Sequence, residues 1–545
     1  MLIPLRERVR GAHAIARQYS RSGHYLRDPV DSIIGEVILD MQDFVLPGLP
    51  GLQWSRHYGS QHEYQGVCGR GWETPGDARL VLQQDGSVLF HGGSGASSIF
   101  KSLPTKTTVM INEPIDGLSL LGEEGYYIVR SQDGLSFYFS VPKRPVEAIK
   151  LERVADGFGN SIQYFWDANG LRAIRVGGER RIEVLSRQGR IESMTLVYPG
   201  EPARILVRYD YDGNGNLTAD YDALDVPYRY AYRDNLLVRH TNRNGLSFYY
   251  EYDQYTPEGR CTYTHGDDGL YEGWFVYHDD RQLIEAIGTL GTTTFLYDER
   301  YLVLEETNPL GGVTRFEYDE AGRTTAAIDP DGHRTEYTYD GNGNTVRLTF
   351  PDGSVFANEY DALGNPSRMI DPNGAEWKKE WNDQGQLIRE IGSQGEITQY
   401  RYDDRGQLIE YLDAQGNKTE FTFDSCGNLT GLTDAQGDTI QYSYDCLGKM
   451  IMESSSLQPS SSYQYDLKGR LVKALLSDGT TIACEYDAED NLIAYQDGDG
   501  AVTRMEYCGA NVLRRQIQPD GQTVEYEYDK EEQLLAIVNQ RGRTL

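Results

Sequence analysis

The sequence predicts an all-β protein, most of it one repetitive sheet wound into a hollow shell. Three observations carry this: an unbroken 21-residue period, two turn signals inside each period, and strand-forming runs between the turns. Written in rows of 21, the second half aligns Tyr297, Tyr318, Tyr339, Tyr360, Trp381, Tyr402, Phe423, Tyr444, Tyr465, Tyr486, Tyr507 and Tyr528 in one column. Asp follows nine of the tyrosines, while Asn382, Asp424 and Cys508 follow the Trp, the Phe and Tyr507. Glycine recurs four places after the aromatic, from Gly322 to Gly469, and again fourteen places after it, from Gly311 to Gly542, with Gln458 as the gap in that second column. A register held over so long a stretch is a structural repeat.

Each unit reads as a β-hairpin. Runs such as Ile397-Thr398-Gln399-Tyr400-Arg401-Tyr402 and Gln407-Leu408-Ile409-Glu410-Tyr411-Leu412 are rich in strand formers and contain no proline. Asp and Gly at fixed offsets supply tight turns, because glycine reaches positive φ at low cost. Two glycines per unit and no 3.6-residue apolar stripe exclude a helix. The period of two places Tyr400 and Tyr402 on one face and Ile397 and Arg401 on the other, so one face carries a ladder of tyrosines. Twelve regular units give about 24 strands, a sheet on the order of 115 Å wide if flat. Sheets this wide coil or break up. A four-stranded propeller blade built from two units is the alternative to a continuous spiral.

The rest of the chain follows in order. Residues 1–27 form a basic segment with six arginines against one glutamate, and Leu5, Val9, Ala12, Ala16 and Tyr19 follow a helical spacing across residues 3–22. It reads as a docking helix or as a helix lying on its own acidic body. Residues 28–160 form a β region broken by Pro-Gly turns, and 161–296 are degenerate units of the same sheet, with Trp166-Asp167, Tyr211-Asp212 and Tyr252-Asp253 at irregular spacing. Residues 297–545 are the regular units, the last incomplete: the chain ends 17 residues after Tyr528. Leu534–Asn539 is therefore expected to be an outer strand with an unpaired edge. The stretch Ser454 to Ser462 replaces one turn with a low-complexity, flexible one.

Two stretches resemble a known family. The run Asp28-Pro29-Val30-Asp31, Ile34-Gly35-Glu36-Val37, Asp43-Phe44-Val45-Leu46-Pro47-Gly48-Leu49-Pro50-Gly51-Leu52, Trp54-Ser55-Arg56-His57-Tyr58 and Gly69-Arg70-Gly71-Trp72 resembles the N-terminal region of bacterial rearrangement-hotspot (Rhs) proteins. The Tyr-Asp-x-x-Gly array resembles their tyrosine–aspartate (YD) repeats, shared with insecticidal toxin complexes and animal teneurins. Together these matches span nearly everything after Asp28. The resemblance implies a shell that encloses and delivers a cytotoxic C-terminal domain, exported by secretion machinery, often type VI, for competition between bacteria. It implies as partners that toxin domain, its immunity protein and a secretion spike or adaptor. It also implies residence in the bacterial cytoplasm before export, without a signal peptide. Family repeats end in a core with an Asp-Pro self-cleavage site followed by a variable toxin domain. Neither stands in residues 1–545, so no self-cleaving residue is carried over.

The chemistry-bearing residues agree with a wall, not an enzyme. Net charge is −31 from 52 basic and 83 acidic residues, which argues against nucleic acid as a partner. No apolar run is long enough to span a membrane. Cys68, Cys261, Cys426, Cys446, Cys484 and Cys508 are scattered, without C-x-x-C, and read as free thiols. The aspartates Asp319, Asp340, Asp361, Asp403, Asp445, Asp466 and Asp487 repeat with the turns, so they serve the turn. Asp210-Tyr211-Asp212-Gly213-Asn214-Gly215-Asn216 resembles the front of a calcium loop, but Tyr221 stands where such a loop needs a bidentate glutamate. His57 and His62 are close in sequence without a second-ligand pattern. No catalytic, cofactor or metal residue is expected. A carbohydrate-binding or adhesive surface protein is the alternative, since tyrosine ladders stack on sugar rings.

Overall fold

The structure, a computed structural model, describes residues 29–544 apart from 106–108, 114–116, 124 and 145. The N-terminal basic segment lies outside the described residues. Among these, one antiparallel sheet takes in 42 strands from Met110 to Thr544, almost all in sequence order. Its regular part alternates six- and five-residue strands such as Ile397–Tyr402 and Leu408–Leu412. The sheet takes its first strand at Met110–Glu113, inside the segment assigned above to the N-terminal region. Hydrogen-bond continuity extends the ribbon to where no YD motif marks it.

The turn chemistry explains the period. At Asp403 the backbone N–H donates to the Gln407 carbonyl at 2.9 Å, and the Gly406 N–H donates back to the Asp403 carbonyl at 3.2 Å. The Asp403 carboxylate accepts the N–H groups of Arg405 and Gln407 at 2.9 and 2.8 Å. This is a short hairpin turn closed by a left-handed residue and a bulge, and the pairing register shifts between Arg401 and Tyr402. The second glycine column repeats the geometry: Asp413 accepts from Gln415 and Asn417, and Gly416 sits at φ +83°.

The ribbon winds on itself. The Asn160 side chain donates to the Arg405 carbonyl at 2.9 Å across 245 residues, Arg243 N–H to Glu489 across 246, and Asn244 to Asp487 across 243. Each contact joins a turn of a first coil, residues 156–290, to a YD turn of a second coil, residues 403–532. Between the turns at Asn160 and Arg405 lie 23 strands. At ~4.8 Å per strand that is a perimeter of about 110 Å, or a width of about 35 Å. The continuous spiral is therefore the architecture, and separate blades are not. Nor is Leu534–Asn539 an outer strand: it pairs with Thr523–Tyr528 on one side and Gly542–Thr544 on the other.

The packed core is one-sided. It combines residues 30–100 with the stretch from Ile111 to Val303, and of the second coil Cys446 and Leu447 join it among the described residues. The N-terminal region folds into small sheets, Ile38–Leu46 with Leu52–Gly59 and Trp72–Glu73, and Arg79–Leu82 with Val88–His91, Ser97–Phe100 and Ala148–Lys150. Trp54 and Trp72, both fully buried, donate their indole N–H groups to the hydroxyls of Tyr209 and Tyr232 on the sheet. This region is a plug seated on one face of the ribbon.

Candidate functional site

The face the plug covers can be followed strand by strand. Cross-strand pairs Tyr209 with Asp220, Tyr230 with His240, and Ile284 with Phe295 lie on it in the first coil. Beyond the first coil the same face continues through Tyr337 with Leu348, Phe356 with Leu348, Met369 with Trp377, Tyr400 with Tyr411, Phe421 with Leu432, Cys484 with Tyr495, and Tyr526 with Ile537. Its charged members include Lys379 and Glu390, which face each other at 3.7 Å, and Glu453. The opposite face alternates charges: Arg334 with Glu317 and Glu336, Arg368 with Glu359 and Glu376, Arg389 with Glu380, and Arg515 with Glu506 and Glu525. Such exposed pairs add little stability. They keep an outer surface wet and unattractive to other strands. Beyond the first coil the ribbon thus has an aromatic, apolar inner wall that the plug does not cover, among the described residues, and a charged exterior.

The tyrosine column has a structural task. The hydroxyls of Tyr318, Tyr339, Tyr360, Tyr402, Tyr465, Tyr486 and Tyr528 donate to the carbonyls of Val303, Thr324, Thr345, Leu387, Met450, Leu471 and Leu513, each 15 residues earlier, at 2.7–3.0 Å. Trp381 does the same with its indole N–H to the Pro366 carbonyl at 2.8 Å, which explains why Trp can stand in this column. Trp166 repeats the bond to Leu151 in the first coil. Partial burial raises the phenol pKa of Tyr402. The sequence reading found the ladder but not this bond, because a 15-residue reach back to a carbonyl leaves no trace in residue identity.

The candidate ligand groups resolve as turn chemistry. Asp212 accepts the Asn214 and Asn216 N–H groups and the Asn216 side-chain amide, so the calcium-like loop is a YD turn. In Asp340 burial opposes ionisation, but the Asn344 side chain and turn N–H groups outweigh it and hold the carboxyl below its usual range. Asp329, Asp331 and His333 bring their ligand atoms within 4.8 Å of one another, all exposed. Their geometry is that of another turn, with Asp329 accepting the Asp331 and His333 N–H groups. His57 and His62 stand with ring centres 6.0 Å apart, and His57 Nδ1 lies 2.7 Å from Asp40. Cys68, Cys261, Cys426 and Cys446 are buried free thiols, and Cys484 and Cys508 are partly exposed. Among the described residues, no helix is long and apolar enough to cross a membrane.

A coiled antiparallel hairpin ribbon with a plug on its inner face defines a shell-forming β-repeat protein. Residues 275–418 and 359–545 match the family model described as Teneurin YD-shell, and residues 27–100 match a domain of unknown function, DUF6531. The chain is an Rhs/YD-repeat shell protein. It is 28% identical over 275 residues to double-stranded DNA deaminase toxin A of Burkholderia cenocepacia, covering 47% of this chain and 18% of that one. To the probable deoxyribonuclease RhsA of Dickeya dadantii it is 27% identical, over 53% of this chain and 20% of that one. To the toxin protein Tse5 of Pseudomonas aeruginosa it is 24% identical, over 48% and 23%. The chain thus spans about a fifth of the length of these curated relatives. The crystal structure of TcdB2-TccC3 superimposes with a TM-score of 0.46 at 15% identity, covering 81% of this chain and 31% of that one.

Proposed function

We propose that this chain is the wall and N-terminal plug of a container that encloses and delivers a toxin domain, and that it is not itself an enzyme. The observation that carries this is the inner wall beyond the first coil, which the plug does not cover among the described residues. A sheet that puts charge pairs outward and Tyr400, Tyr411, Phe421, Leu432 and Tyr526 inward is built to hold polypeptide, since apolar surface without a covering partner is a binding surface. The toxin names of the relatives support a toxin as that content. The nuclease and deaminase activities in those names belong to those proteins. Export through type VI machinery, use against competing bacteria, passage from the cytoplasm without a signal peptide, and pairing with an immunity protein and a spike or adaptor are the finer parts of the same reading. The inward position of the aromatic rings weighs against an adhesive surface that stacks sugars.

The test is protection of an attached segment. An unstructured polypeptide with one protease site, fused after residue 545, is expected to be cut at least tenfold more slowly than the same peptide free in solution. Loss of protection in a Trp54→Ala, Trp72→Ala variant would agree. Cutting at the free-peptide rate in the intact protein would overturn the container. Nuclease, glycosidase and peptidase assays on the chain are expected to be blank, and turnover abolished by a single carboxylate substitution would overturn the non-enzymatic reading.

A further inference from the structure

The line where the two coils meet differs in kind from the ribbon. Along the ribbon, each strand joins the next through a ladder such as Gln399–Tyr402 with Leu408–Leu412. Across the line, among the described residues, one backbone hydrogen bond is made, Tyr271 N–H to the Lys530 carbonyl at 3.0 Å. The other polar contacts involve side chains at turn tips, among them Asn160 on the Arg405 carbonyl, Asn242 on the Gly509 carbonyl at 2.8 Å, Asn244 on Asp487, Glu489 accepting the Arg243 N–H, Arg204 near Asp445, Tyr271 hydroxyl on Glu532, and Thr289 hydroxyl on Glu531. The coils touch without a shared ladder, so this is the weakest continuous line in the wall.

Two devices bridge it. The first is a chain of ion pairs through three layers. In the plug, Arg56 pairs with Asp43 at 2.8 Å and reaches Asp220 of the first coil at 3.0 Å, all three side chains being buried. Asp220 holds Arg243 at 2.7 Å, and Arg243 lies 3.3 Å from Asp222. Asp222 then meets Lys468 of the second coil at 3.0 Å, and Lys468 and Arg470 converge on Asp490. The second device is the plug's loop around Pro47 to Pro50. Leu49 packs against Gly427 of the second coil and Gly177 of the first, Pro47 packs against Gly448, and Arg180 of the first coil donates to the Pro47 carbonyl. Glycines stand at these contacts because a Cβ at 427 would lie 3.0 Å from Leu49, and both Gly427 and Gly448 have positive φ.

We propose that this line is the parting line of the shell, and that the plug's loop and the ion-pair chain through Asp222 and Lys468 form the clasp that keeps it shut. Removing a charge from the clasp separates the coils while leaving the ribbon's ladders intact. A ladder bond is a repeated backbone interaction, whereas the pair at Lys468 is a single contact that a partner or a change in ionic strength can compete away.

Hydrogen exchange distinguishes these outcomes. Lys468→Met and Asp222→Asn are each expected to speed exchange at Arg243 and Tyr271, whose N–H groups bond across the line, by at least tenfold. Exchange at Tyr400 and Tyr411, inside the ladders, is expected to stay unchanged. A covalent lock supplies the converse: a Cβ added at Gly178 would lie 2.6 Å from the Cys426 sulfur, so oxidised Gly178→Cys is expected to form a disulfide with Cys426 and to suppress the effect of Lys468→Met. Unchanged exchange at Arg243 and Tyr271 would overturn the proposal, as would equal acceleration at Tyr400 and Tyr411. If the Gly178 substitution prevents folding, the comparison between Lys468→Met and the wild type decides alone.

Discussion

Single residues show how far a motif reflects backbone geometry. The first glycine column exists because its position requires a left-handed backbone. Where glycine is missing, Tyr301, Asp490, Asn511 and Glu532 take φ values of 64°, 68°, 71° and 56°. The sequence displayed the column but could not show that the gaps keep the geometry. It also could not separate glycines needed for φ from those needed for space. Gly416 at φ +83° has nothing within 4 Å of a would-be Cβ, whereas at Gly406, φ +81°, a Cβ would lie 2.5 Å from the Phe158 ring of the other coil. Gly416→Ala is therefore expected to cost about 1 kcal/mol, and Gly406→Ala a further 1–3 kcal/mol, roughly, from overpacking. Local opening energies from hydrogen exchange around each turn check this, and equal costs would refute the steric part. His240 gives a pH signature. Burial lowers its pKa to about 4, so between about 6.5 and 4 the unfolded chain binds a proton that the folded chain does not. Stability from this group is lost as pH falls through that window, by about 3 kcal/mol at most. Asp77, pushed up to about 6 by burial, acts in the opposite sense over part of the range. The test is therefore the difference between wild type and His240→Gln: the variant's unfolding midpoint should fall less between pH 6.5 and 4.

At the scale of the element, the hairpin was legible and its fastening was not. The strand Ile397–Tyr402 and the sharing of a face by Tyr400 and Tyr402 follow from period two and turn chemistry, and the structure has both. To the backbone ladder between neighbouring units the hydroxyl of Tyr402 adds a bond to the Leu387 carbonyl. Phe423 occupies the same column without a hydroxyl, so one such bond is dispensable. Tyr402→Phe is expected to cost about 1 kcal/mol and to loosen the strand Leu387–Ile391, with the fold retained. Tyr402→Ala, which also removes the ring from the wall, is expected to cost more. Denaturation with exchange mapping reads both, and a Tyr402→Phe variant as damaging as Tyr402→Ala would mean that the hydroxyl carries the whole effect.

The whole molecule was legible only as an argument about width. Too many strands for a flat sheet implied coiling, but the number per coil depends on which turns meet. Those contacts rest on single residues, such as Asn160 on Arg405 and Arg243 on Glu489, that follow no period. The plug's docking was hidden for the same reason: Trp54, Arg56 and Trp72 meet Tyr209 and Tyr230 through long-range packing that no local pattern encodes. A hollow wall predicts a scattering signature. A solid domain of this length has a radius of gyration of about 24 Å. The chain is expected to exceed that, with a pair-distance distribution weighted towards long distances. A compact, symmetric distribution at the solid-body value would contradict the shell.

The turn-on-turn contacts between coils bear on how such a gene can change length. A tandem repeat with one interchangeable unit invites duplication and deletion by recombination. Yet a unit gained or lost between Thr289 and Arg405 would shift each of these turns by one hairpin against its partner, and Lys468 would no longer face Asp222. Copy number inside the first circuit is therefore selected by circumference, while units beyond the last meeting point are free to vary. Across natural variants, indels of whole 21-residue units are expected to be excluded from the stretch between Thr289 and Arg405 and tolerated beyond Glu532, the last meeting point.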